Sequence, residues 1–96
     1  MTYTKLSKDV YTFSKKGIYP LLPIHSDFNG QVGSAYFNVI SARPVVDDMC
    51  VCQILKTFAT VEQAIAWQDK FISKGRMPAE SVDVFIERSE TVKDKN

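Results

Sequence analysis

Thiols, one imidazole and a few paired carboxylates are the side chains here that could do chemistry. Cys50 and Cys52 are the only cysteines and His25 is the only histidine. A thiolate nucleophile needs a base beside it, so His25 would have to serve both cysteines. Structural zinc takes about four ligands, and Cys50-Val51-Cys52 has no second pair to join it. On a strand, residues two apart share a face at ~6.5–7 Å, at the long end of disulfide geometry. Free cysteine otherwise behaves as a small, buried hydrophobe. Cys50 and Cys52 are therefore expected to be core thiols, and no metal or cofactor is expected.

His25-Ser26-Asp27 sets three catalytic residue types side by side. Adjacent residues point different ways, whereas working triads are assembled from distant parts of a chain. A turn closed by Ser26 or Asp27 onto nearby amides is the expectation. Asp47-Asp48 is too sparse for a hard cation and is read as a solvated turn. Gly30 and Gly33 have a spacing of interest for phosphate, but they precede a strand rather than open a helix. They are read as turn residues.

The composition bounds the rest. Ninety-six residues suit one small domain, 1–96. A hydrophobic share of 45% and a charged share of 24% are those of an ordinary globular protein. No apolar run approaches the ~20 residues of a membrane span, and residues 1–10 lack the apolar segment of a signal peptide. A reducing cytoplasm is the expected compartment. Net charge is +1, without the concentrated basic face expected for nucleic acid.

The elements that must position these residues are legible in part. Thr60-Val61-Glu62-Gln63 fits a helical capping box. After it Val61, Ala64, Ile65, Phe71 and Ile72 share one side, and Gly75 and Pro78 end the run. This predicts a helix over about 61–74. Residues 32–42 and 49–59 are rich in β-branched and aromatic types, which predicts two antiparallel strands. Residues 81–88 alternate with Val82, Val84 and Ile86 on one face and predict another strand, although a helix starting at Pro78 also fits. Ser7 to Lys16 suits either a short helix, burying Leu6, Val10 and Phe13, or a strand. Pro20 and Pro23 exclude a helix or a central strand from the segment after it, which is read as irregular, and residues 90–96 as a loose tail. The expected fold is α+β: an antiparallel sheet of three to four strands with one amphipathic helix on one face.

Such a sheet has more apolar surface than one helix covers. Cys50, Cys52, Ile54 and Phe58 are expected on one face of the 49–59 strand, with Met49, Val51 and Leu55 on the other. The second face needs a cover: the segment bearing Ile18, Leu21, Leu22 and Ile24, a second copy of the chain, or another protein. These features point to a non-enzymatic protein–protein interaction module, of adaptor or inhibitor type, self-associating as a homodimer through a sheet face or edge. Trp67, at the border of the helix stripe, and Tyr19, Tyr36 and Phe37 are the expected anchors. Gln68, inside the stripe, must find a partner if buried. Two alternatives remain. One is nucleic-acid binding by Lys5, Lys8, Lys15 and Lys16 among Tyr3, Tyr11, Phe13 and Tyr19. The other is a small-ligand site or thiol enzyme around Cys50, Cys52 and His25.

Overall fold

The computed structural model describes residues 3–14, 16, 19–45, 48–74 and 83–93. Within them five strands form one antiparallel sheet and a helix crosses one of its faces, an α+β fold. The elements are β1 (Tyr3–Ser7), β2 (Val10–Ser14), β3 (Phe37–Pro44), β4 (Met49–Phe58), α1 (Val61–Ser73) and β5 (Asp83–Arg88). Their order across the sheet is β1-β2-β4-β3-β5. Lys15, Ile18, Asp47, Gly75, Pro78 and Val82, each given a role above, lie outside the described residues.

The sheet has five strands rather than three to four because the N-terminal residues supply two, β1 and β2, where a short helix or a single strand over residues 7–16 was expected. Tyr11 pairs with Cys52 and Phe13 with Cys50, so period-2 spacing sends both aromatics into one core, where they are buried. Helical spacing would have turned them to different sides. The hairpin between β1 and β2 turns at Lys8 and Asp9, and Asp9 adopts a left-handed φ of 61°. Aspartate tolerates that conformation better than most residues.

Two further boundaries differ from the expectation. β3 begins at Phe37 rather than at Val32, because Gly33 has a φ of 89° and breaks the pleat. Residues 33–36 instead exchange backbone hydrogen bonds with 89–92. The same bonds tie down Ser89 and Val92, and Glu90 donates to the Leu22 carbonyl at 2.9 Å, so the chain is held well past Glu90. In α1, Thr60 caps the N-terminus, its hydroxyl accepting from the Gln63 amide at 3.2 Å. Lys74 closes the other end at φ −85°.

A bulge sets which side chains reach which face. Val39 stands opposite Lys56, but Ile40 stands opposite Ile54, leaving Leu55 as the extra residue on β4. Beyond it the alternation is inverted. Thr57 is buried on the face of Cys50, Cys52 and Ile54, and Phe58 turns to the helix, its ring 6.2 Å from that of Trp67. The expected grouping of Phe58 with Ile54 fails for this reason.

The two faces are covered differently. The main core joins Tyr11, Phe13, Ile40, Cys50, Cys52 and Ile54 to Leu22, which is 0% exposed. Tyr19 packs edge-on against Phe13 and Phe85. The proline-bearing segment, residues 19–24, is thus the cover for this face. On the other face α1 lies over β3, β4 and β5 and touches neither β1 nor β2. No helix among the described residues is long and apolar enough to cross a membrane.

Because Leu22 fills the core, Leu22→Ala is expected to cost about 2–4 kcal/mol in urea unfolding, on the scale of large-to-small core substitutions. A loss under ~0.5 kcal/mol, typical of surface positions, would show that the segment does not seal the sheet.

Candidate functional site

β4 outlasts its neighbour on one side. β2 stops pairing with it at Gln53, opposite Val10, whereas β3 continues to Phe58. Alongside the freed stretch stands the turn of residues 25–28, closed by the Phe28 amide donating to the His25 carbonyl at 3.0 Å. Between them lies a cleft of about 440 Å³ lined by His25, Asp27, Phe28, Leu55, Lys56 and Thr57.

His25 is fixed from three directions. Its backbone amide donates to the Thr57 hydroxyl at 2.8 Å. Its Nδ1 accepts from the Asp27 amide at 3.1 Å, and its Nε2 lies 3.1 Å from Asp9 Oδ2. With Nδ1 accepting, the ring proton faces Asp9. Asp9 also takes the Ser26 hydroxyl on Oδ2 at 2.7 Å and the Ser26 amide on Oδ1 at 2.8 Å. Thr57 in turn donates to Asn38 Oδ1 at 2.6 Å, and Asn38 Nδ2 donates to the Pro23 carbonyl at 2.9 Å.

Asp9, Ser26 and His25 thus meet, but not as a triad. A nucleophile must be hydrogen-bonded to its base, and the base to its orienter. Here serine and histidine both bond the same carboxylate oxygen, and the imidazole nitrogen free to accept a proton is occupied by a backbone amide. The cluster fastens the turn to the hairpin. Asp27, the residue adjacent in sequence, is solvent-exposed and lies 3.8 Å from Lys8. Sequence reading missed Asp9, whose one signal was an aspartate at a tight turn between alternating segments.

The thiols sit elsewhere. Cys50 and Cys52 are free and buried in the main core, and Cys52 Sγ lies 3.6 Å from the Tyr19 hydroxyl. Burial pushes the Cys52 thiol up to about 12, far from thiolate reactivity at neutral pH. His25 makes its polar contacts with Asp9, Asp27 and Thr57, so the structure does not join it to the cysteines. Asp48 pairs with Lys16 at 3.0 Å on the surface. No group of three or more possible metal ligands occurs among the described residues.

The aromatic candidates separate into inside and outside. Tyr3, Tyr11, Phe13 and Tyr19 pack on the main core, and the Tyr3 hydroxyl donates to the Glu90 carboxylate. Tyr36 stacks edge-on with Phe28, and its hydroxyl accepts from the Gln31 amide at 2.8 Å. A Cβ on Gly30 would come within 2.7 Å of that ring. Phe37 opens β3 opposite Phe58, on the helix side. Gln68 donates to the Val84 carbonyl of β5 at 2.9 Å. Trp67 is half-buried and stacks on Phe71 with centroids 5.1 Å apart. No family model, curated protein or solved structure matches the chain, so function has to be argued from its own surfaces.

The buried hydroxyls and thiol set an alkaline limit. Burial raises Tyr19, Tyr11 and Tyr3 above the usual tyrosine value, helped respectively by the Cys52 contact, the Asp9 charge and the Glu90 bond. The folded state therefore keeps protons that the unfolded chain begins to lose near pH ~8.5 for cysteine and ~10 for tyrosine. Stability should be fully present below that range and fall as pH rises towards 12. Urea midpoints should drop steeply between pH 8 and 11, and both thiols should label only on unfolding. Rapid labelling of Cys52 in the folded protein at pH 8 would contradict the arrangement.

Proposed function

We propose that this chain is a non-enzymatic protein–protein interaction module, of adaptor or inhibitor type, that self-associates through the half of its sheet face left bare by α1. One observation carries the reading: the helix covers β3, β4 and β5 but not the β1–β2 hairpin. Across the bare half, Thr4, Thr12, Val51 and Arg43 stand in one row, Val10 and Gln53 in the next, and Ser14 and Met49 beyond. Arg43 is the one charge in these rows, in a chain whose residues are 24% charged. Met49 is 36% exposed. A partly β-branched and nearly uncharged face suits two-fold pairing, because an isologous contact sets each group against a copy of itself and tolerates few charges.

The face is a better candidate than the edge. β1, the outer strand, carries a register shift between Lys5 and Ser7, and bulges and lysines on an edge discourage strand pairing. Trp67 and Phe71 stand on this same side of the sheet, where Phe58 of β4 meets Trp67 and Gln68 reaches across to β5. They would border the contact as its aromatic anchors. Free buried thiols fit a reducing compartment, and we place the module in the cytoplasm as part of the same proposal. The nucleic-acid alternative loses its stacking groups, since Tyr3, Tyr11, Phe13 and Tyr19 line the core.

Light scattering over a range of concentrations tests the reading. The expected mass is twice the chain's 10.9 kDa, held on dilution, and Thr12→Lys should return it to the monomer without changing the circular dichroism. A monomer at every concentration would overturn self-association.

A further inference from the structure

We propose that the outer edge of β5 binds an extended peptide segment of another protein, alternating apolar and basic side chains, as a sixth strand of the sheet. This edge lies at the end of the sheet opposite the β1–β2 hairpin, so the binding does not depend on the self-association above.

The hydrogen bonds fix which groups of β5 face away from β3. Ser89 donates its amide to the Tyr36 carbonyl at 2.8 Å. In an antiparallel ladder, hydrogen-bonded pairs alternate with non-bonded ones. Counting back along the register, Glu87 and Phe85 bond β3, and the amides and carbonyls of Val84, Ile86 and Arg88 point outward. Two contacts agree with this phase. Gln68 Nε2 donates to the outward Val84 carbonyl at 2.9 Å, and the outward Glu90 amide donates to the Leu22 carbonyl at 2.9 Å. Between these two, nothing among the described residues bonds the outward groups of Ile86 or Arg88. A row of backbone donors and acceptors at strand spacing complements another extended backbone, the mode of β-strand addition.

The side chains on either face select the sequence of that strand. Phe85 packs on the main core, so Val84 and Ile86 face α1. Along α1, at ~100° per residue, Ile65 and Ile72 lie ~40–60° beyond Gln68 on the side away from Trp67. Gln68 reaches β5 and Trp67 meets Phe58 of β4, so this flank of the helix faces the β5 edge. Ile65 is 45% and Ile72 43% exposed, an aliphatic wall for the apolar side chains of an added strand. The opposite face of β5 carries Asp83 and Glu87 on either side of Phe85. Neither carboxylate makes an ion pair among the described residues. Basic side chains on the added strand would stand beside them. A second copy of β5 is the wrong occupant, because it would bring its own Asp83 and Glu87 to the same face, where like charges on neighbouring strands repel.

A capped hexapeptide alternating valine and lysine, added to the intact protein, tests this through amide hydrogen exchange. In the free protein the Ile86 and Arg88 amides should exchange faster than those of Phe85 and Glu87, which the ladder holds. The peptide should slow both saturably, with half its effect at or below about 1 mM. A peptide with glutamate in place of lysine should bind at least about threefold more weakly, the scale of exposed charge contacts. Ile65→Gln, an exposed substitution, should weaken the valine–lysine peptide by about threefold through lost apolar contact. Ile86 and Arg88 amides already slow in the free protein, whether closed by its own chain or by a second copy, would overturn the proposal. So would a peptide that leaves both amides unprotected, equal affinity for the two peptides, or an Ile65→Gln variant that binds as the parent does.

Discussion

The buried Asn38–Thr57 pair is the contact on which the rest of this structure depends. Residues 19–24 lie over the main apolar face, yet Pro20 and Pro23 have no N–H to donate and cannot join a ladder. The carbonyls of such a segment still need donors once water is excluded. Asn38 supplies one to Pro23 and approaches Leu22, whose carbonyl also receives the Glu90 amide. Thr57 completes the pair, donating to Asn38 and accepting from His25. Leaving any of these groups unpaired would cost about 1–3 kcal/mol. An irregular segment thereby does the work of a second helix.

This arrangement decides what remains available for function. With one face sealed from within the chain, the uncovered surface lies on the helix side, where α1 spans β3, β4 and β5 and leaves the hairpin bare. The Leu55 bulge links the two faces. It turns Thr57 inward to hold the segment and Phe58 outward to meet Trp67. One extra residue in β4 thus shapes the segment's anchor and the helix contact.

Much of the framework is legible in the sequence for local reasons. The capping residues and 3.6 period announce α1, and the β-branched, aromatic runs announce β3 and β4. What was hidden is non-local. Leu6, Val10 and Phe13 fit a helix as well as Tyr11 and Phe13 fit a strand, and only the cysteines opposite them decide. No glycine or proline marks the bulge, so the phase of β4 beyond Ile54 could not be read. Gly33 does mark a break, but its left-handed φ is what moves the start of β3 to Phe37. For the candidate sites, the cysteines read correctly as core because burial follows residue type. Asp9 joins His25 and Ser26 only through the hairpin, and the gap beside Leu55–Thr57 exists only because β2 is shorter than β3.

Hydrogen exchange at two amides tests the central claim most directly. The amides of His25 and Ser26 donate to Thr57 Oγ1 and Asp9 Oδ1, each at 2.8 Å. If the segment is an integral cover for the core, these amides, which no regular ladder protects, should exchange as slowly as that of Ile54 in β4. Exchange at the rate of an open loop, with Ile54 still protected, would mean that the segment lifts freely from the sheet and that the main face is not sealed by its own chain.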